Sequence, residues 1–203
     1  MSKIFIISNT NFNATKNLSS KEWQKVMEAY FYTDFLPFLT NSVASGDVLI
    51  HLGNLLHKTK SIDLNTLKFI QDLFEKISEI LPVYIIQSEN DKLSVNILKN
   101  FSNIHIIKEN EKINNFLILT NLENINIETD YCFFNYDYLN SPNKDIIISK
   151  LKKFKKCYNG YYDKNSVTEN IKNLGGTYNI DGDDKMGLFM LGVGLIVFAM
   201  GMD

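Results

Sequence analysis

The chain contains no arginine, only two cysteines and only three histidines. Two cysteines, Cys132 and Cys157, make neither a disulfide framework nor a zinc pattern. Both lie in apolar, strand-like stretches, so reduced core thiols are expected. Positive charge is also short: the formal net charge is −2, which gives no general attraction to nucleic acid. The nearest thing to a basic patch is Lys150, Lys152, Lys153, Lys155 and Lys156, and a solvated helix end explains that run equally well. The first residues lack the basic, apolar, small-residue order of a signal peptide, and Ile4 to Ile7 reads as a strand instead. There is no internal repeat and no low-complexity linker, so no domain boundary is placed.

What is present fits one globular domain. A chain of 203 residues with 45% apolar and 22% charged residues is long enough and apolar enough for a sizeable core. Asparagine, isoleucine and lysine are abundant. With arginine missing, this is the composition of an AT-rich genome, common among bacteriophages and some bacteria. It gives, by association, an expected location in a cytoplasm (the host's, if phage-encoded) or in a virion.

Strand-like and helix-like segments alternate. Ile4 to Ser8 is a short apolar run, as in a strand buried on both faces. Ser19 or Ser20 caps a helix through Trp23, Val26, Met27, Tyr30 and Phe31. Val48 to Leu52 is a second strand. Asp63 caps a further helix with Leu64, Leu67, Ile70, Leu73, Phe74 and Ile77 on one face. Pro82 ends it, and Val83 to Ile86 is a third strand. A short helix, Ser94 to Phe101, leads to a fourth strand, Ile104 to Ile107. This order predicts an α/β fold with a mainly parallel sheet. The second half adds candidate strands at Phe116 to Leu119, Tyr131 to Phe134, Lys156 to Asn159 and Ile171 to Leu174.

Met186 to Met202 is apolar throughout and close to the length of a bilayer span. Gly187, Gly192, Gly194 and Gly201 are poor for an isolated helix. The favoured expectation is a hairpin, Leu188 to Leu191 and Leu195 to Ala199, turning at Gly192-Val193-Gly194. A C-terminal membrane anchor over 186–202 is the alternative.

Five loop segments carry the chemical information. They are Ile7-Ser8-Asn9-Thr10-Asn11-Phe12; Gly53-Asn54 after the strand that follows Asp47; Ser88-Glu89-Asn90-Asp91; Phe133-Phe134-Asn135-Tyr136; and Gly160-Tyr161-Tyr162-Asp163. Asn173-Leu174-Gly175-Gly176-Thr177-Tyr178 and Met186-Gly187-Leu188-Phe189 follow. In order and spacing these resemble the loops of calcineurin-like metallophosphoesterases, most of all the SbcD-type nuclease subunits of DNA repair. The resemblance runs through nearly the whole chain. It implies a four-layer α-β-β-α sandwich of the metallophosphoesterase type. Residues 1–203 would then form a single degenerate phosphoesterase-like domain, with no capping domain and no ATPase-docking segment.

The resemblance also implies that the metal ligands have been replaced. The family has aspartate, any residue, histidine in the first loop, where Asn9 and Asn11 stand. Its bridging aspartate is Asn54 here. Its glycine-asparagine-histidine-aspartate has become Ser88-Glu89-Asn90-Asp91, with the catalytic histidine replaced by Asn90. Its lone later histidine aligns with Asn135. Its glycine-histidine-any-histidine has become Gly160-Tyr161-Tyr162-Asp163. Two divalent ions held close together need anionic ligands to offset their repulsion, and an amide oxygen is a poor substitute for a bridging carboxylate. Nor does an amide donate a proton usefully near neutral pH. Glu89 and Asp163 remain as carboxylates, enough at most for one weakly bound Mg²⁺ or Ca²⁺.

None of the three histidines falls at a ligand position. His51, in an apolar strand, reads as a hydrogen-bonded core residue. His57 reads as a surface residue near the second loop. His105 alternates with Ile104 and Ile106 and faces water.

The expected function is therefore that of a pseudoenzyme: no catalysis, no cofactor, and a binding or structural role with a protein partner or a second copy of itself, including virion components. Tyr136, Tyr138, Tyr161 and Tyr162 form a candidate contact patch, since tyrosine is enriched at interfaces. Core packing or ordinary loop positions explain the same tyrosines equally well. A weak single-metal phosphodiesterase or nuclease on Glu89 and Asp163 is the enzymatic alternative.

Overall fold

A computed structural model describes residues 3–8, 10–13, 19–56, 62–87, 91–113, 116–120, 129, 131–134, 156–159 and 198–201. It is a mixed α/β fold with two sheets. The first sheet has the order β4-β3-β2-β1-β9. Its strands are β1 (Lys3–Ile7), β2 (Val48–His51), β3 (Val83–Ile86), β4 (Ile104–Ile107) and β9 (Phe198–Gly201). The first four run parallel, and β9 pairs antiparallel with β1. The second sheet has the order β5-β6-β7-β8, with β5 (Glu111–Ile113), β6 (Phe116–Leu119), β7 (Tyr131–Phe134) and β8 (Lys156–Asn159). There β6, β7 and β8 are parallel and β5 is antiparallel.

The strand order explains the layering. From β1 to β4 each crossover steps in the same direction across the sheet. Right-handed crossovers that never reverse place every connecting helix on one face. That face carries Phe5, Ile7, Leu49, Val83, Ile85 and Ile104, packed under helical residues including Met27, Phe31, Phe35, Leu39, Ile70, Leu73, Phe74 and Leu98. The opposite face is also apolar and needs a different cover. Ile4, Ile6, Val48, Ile50, Ile86 and Ile107 pack there against Phe116, Ile118 and Phe133 of the second sheet. Phe116 and Phe133 meet edge to face at 5.5 Å. Three layers are thus described: helices, a five-stranded sheet and a four-stranded sheet. Leu117, Leu119 and Cys132, on the outer face of the second sheet, are buried as well.

Two helices begin where the sequence predicts. In α1 (Ser20–Tyr30), Ser19 accepts from the Glu22 N–H while Glu22 reaches back to the Ser19 N–H, a complete capping box. In α3 (Leu64–Ile80), Asp63 accepts from the N–H and the hydroxyl of Thr66.

Two side chains depart from expectation. Leu64 is 80% exposed. The buried stripe of α3 is Thr66, Phe69, Ile70, Leu73, Phe74 and Ile77. At 3.6 residues per turn Leu64 projects about 150° away from the middle of that stripe. Val26, placed on the apolar face of α1 by sequence, is 42% exposed.

One helical stretch is absent from the sequence reading. Phe31–Phe35 forms a π-helical turn that runs into α2 (Leu36–Ser42). Pro37 has no N–H for the Thr33 carbonyl and its ring crowds that oxygen. The wider turn, in which the Leu36 N–H donates to the Phe31 oxygen, makes room for it. It also turns Phe31, Phe35 and Leu39 into the core together. The next helix, α4 (Lys92–Leu98), starts earlier and ends earlier than the Ser94 to Phe101 expected.

The far end of the apolar C-terminal stretch is a strand: Phe198 pairs with Ile6 and Gly201 with Lys3. It overlaps the expected Leu195 to Ala199 at Phe198 and Ala199 and continues to Gly201, while Leu195 to Val197 lie outside the described residues. The partner arm Leu188 to Leu191 and the strand expected at Ile171 to Leu174 lie outside the described residues. Among the described residues no helix is long and apolar enough to cross a membrane.

Candidate functional site

The loops that leave β1, β2 and β3 all emerge at the carboxyl ends of parallel strands, the side of an open α/β sheet where ligand sites gather. Two of them are joined directly. The Asn11 N–H donates to the Asn54 oxygen at 3.1 Å, and the Phe12 N–H to the Leu55 oxygen at 2.8 Å. Asn11 and Asn54 both have left-handed backbones, with φ of 45° and 58°. Asparagine tolerates this region better than most residues, because its short side chain bonds locally. Each of these asparagines thus has a backbone role as well as whatever its amide contributes.

Asp91 ties in the third loop. It stands at the head of α4 and is fully buried. One carboxylate oxygen accepts from the Asn54 N–H at 2.8 Å and the other from the Leu56 N–H at 3.1 Å. The one residue kept from the third motif is therefore engaged with the backbone of the second-strand loop.

Beneath these loops lies a buried polar bridge. His51, the last residue of β2, has no exposed surface. Its Nδ1 accepts from the Gly53 N–H at 3.1 Å, and its Nε2 lies 3.1 Å from Thr10 Oγ1. Since an amide can only donate, Nδ1 must be bare, and Nε2 carries the proton that it gives to Thr10. The Thr10 hydroxyl is then free to donate onward to the Leu55 oxygen, at 3.4 Å. Burial pushes the imidazole pKa down to about 3. His51 is thus the hydrogen-bonded core histidine that its sequence context predicts. His105 is exposed, also as predicted, and stacks on Tyr84 with ring centroids 4.9 Å apart.

The structure brings together Asn11, Asn54 and Asp91. Asn9, Glu89, Asn90, Asn135, Tyr161 and Asp163 lie outside the described residues, as do Tyr136, Tyr138, Tyr162 and His57. Among the described residues no group of three or more His, Cys, Asp and Glu side chains is placed to hold a metal. The described donors do not fit a pair of divalent ions. Asn54 offers a neutral amide, and both oxygens of Asp91 face backbone N–H groups.

Sequence reasoning located these loops but missed the Thr10–His51–Gly53 bridge and the backbone role of Asp91. A histidine inside an apolar strand was the available signal, because a buried ring nitrogen requires a partner.

No protein-family model and no curated protein matches the chain. Distant likeness is found among solved structures. One is a nuclease, MPE, from Pseudomonas putida, at 14% identity and a TM-score of 0.44, covering 66% of this chain. The chain spans 60% of the length of that nuclease. Another is a protein of unknown function, AQ665, from Aquifex aeolicus, at 13% identity and a TM-score of 0.36, covering 67% of this chain and 79% of that one.

Proposed function

We propose that this chain is a catalytically inactive, metallophosphoesterase-like domain of SbcD type that serves as a binding or structural module. The observation that carries the reading is Asn54. In the resembling family this position supplies the carboxylate that bridges two metals. Here it supplies a neutral amide, on a loop whose backbone bonds to Asn11 and Asp91. Without that charge, two divalent ions at the ends of β1, β2 and β3 would repel each other with too little to offset it.

The fold is maintained while the chemistry is lost. The apolar pattern of β1 to β4 is intact, and both faces of their sheet are packed. The burial of Leu117, Leu119 and Cys132 on the outside of the second sheet supports a fourth layer there, completing an α-β-β-α sandwich. A domain kept folded without its metals is of use through its surface. The partner in this reading is another protein of the same phage or bacterium, a virion component among them, or a second copy of the chain, contacted through Tyr136, Tyr138, Tyr161 and Tyr162.

Two measurements test this. Purified full-length protein, assayed on a chromogenic phosphodiester with Mn²⁺, should show no turnover above the buffer blank. Mn²⁺-dependent turnover that disappears in Asp163→Ala would reverse the conclusion. Elemental analysis of the same protein should find no stoichiometric manganese, iron or zinc.

A further inference from the structure

We propose that the buried Thr10–His51–Gly53 bridge is an acid-sensitive latch, which holds the β1 and β2 loops together while the imidazole is neutral and releases them when it takes up a proton.

The geometry makes the ring a one-proton connector. Nε2–H is committed to Thr10 on the β1 loop, and bare Nδ1 is committed to the Gly53 N–H on the β2 loop. The only position left for a second proton is Nδ1, where the Gly53 N–H already points. Protonation there sets two N–H groups against each other. It also turns the sole acceptor of the ring into a donor with nothing to receive it. A charged imidazolium in a fully buried site also carries a desolvation penalty. Gly53 must then move, and it has little slack. Its φ is 95°, the next residue Asn54 is also left-handed, and Asn54 in turn carries the Asn11 backbone. Loss of the Gly53 contact therefore unzips the pairing of Asn11 with Asn54 and of Phe12 with Leu55.

Among the described residues, the side chains packed on the ring offer a proton no compensation. Thr10 approaches from the β1 loop, and the Phe74 ring of α3 stands 6.1 Å away. Asp91, from α4, is directed at the Asn54 and Leu56 amides of the same loop. The sign follows. A histidine neutral in the closed state and of ordinary basicity in the open state favours opening as pH falls below about 6.5, by up to about tenfold per pH unit. The bias toward opening stops growing only once pH reaches the far lower pKa of the closed state. This inference does not depend on whether the domain is catalytic.

The test uses the ¹⁵N-labelled full chain. Long-range imidazole correlations at neutral pH should show His51 as the tautomer protonated at Nε2. On acidification toward about pH 4, the amides of Asn11, Phe12, Gly53, Asn54 and Leu55, corrected for intrinsic exchange, should lose protection while Leu49 and Ile50 in β2 keep theirs. Thr10→Val, which removes the acceptor for Nε2–H, should speed exchange of those loop amides about tenfold already at neutral pH. A ring protonated at Nδ1 at neutral pH would overturn the proposal. So would loss of protection in the loops and in β2 at one common midpoint.

Discussion

The backbone N–H of Asn11 meets the backbone oxygen of Asn54 at 3.1 Å, with both residues in the left-handed region. The loops at the carboxyl ends of β1 and β2 are thus fastened to each other through the main chain. The fastening depends on backbone conformation, so the identity of the residue matters through φ as well as through its side chain.

Asn54→Gly should accordingly be nearly neutral for stability, because glycine enters the left-handed region without a steric penalty. Asn54→Val should lose about 1–2 kcal/mol, since a β-branched residue there clashes with its own backbone. Urea unfolding of the two variants distinguishes this from a purely side-chain role, in which both would be equally damaging.

Asp91→Ala should be among the more harmful single changes in the chain. It deletes two charge-assisted hydrogen bonds and leaves the Asn54 and Leu56 amides without their acceptor. A loss of about 3 kcal/mol is expected. Asp91→Asn keeps one acceptor oxygen and should lose roughly half as much. The midpoint of chemical denaturation reports both.

Chelation should leave the protein unmoved. If hydrogen bonds and not metals join the loops, prolonged treatment with EDTA changes the melting temperature by less than about 1 °C, as does added Mn²⁺. A clear fall in EDTA, restored by Mn²⁺, would contradict the metal-free account.

Asp63→Ala should weaken the start of α3 by about 1 kcal/mol near neutral pH. Its hydrogen bonds with Thr66, the hydroxyl above all, hold the Asp63 carboxyl below its ordinary value. A depressed carboxyl stabilises above its ordinary pKa, and the contribution fades as pH falls through the lower, folded value. The difference between Asp63→Ala and the parent should therefore be full at neutral pH and shrink in strong acid. A difference that grows on acidification would refute the assignment.

Much of the framework was legible in the sequence. Strands β3, β4, β6, β7 and β8 occupy the residues expected. The Ser19 and Asp63 caps were equally plain, because each short polar side chain precedes an apolar period of helical spacing. What stayed hidden depends on tertiary context. The turn at Phe31–Phe35 exists because Pro37 disturbs a helix that the core nevertheless needs. The three-residue strand β5 is mostly exposed and is defined by its pairing with β6. At the site, the loops after β1, β2 and β3 were singled out in the sequence and meet in the structure. The sequence could not indicate that Thr10 and His51, far apart in the chain, would share a proton, since no periodicity links them.

The position of β9 has a kinetic consequence. Strand β1 is synthesised long before β9, yet the neighbour on its outer side is supplied by Phe198–Gly201. Until that late segment arrives, β1 presents a row of open amides and carbonyls to the surroundings, the sort of edge to which stray chains attach. Closing it requires the longest-range pairing in the sheet, which is intrinsically slow. A nascent chain stalled before residue 198 is therefore expected to be sticky, with aggregation relieved as soon as β9 is released to dock.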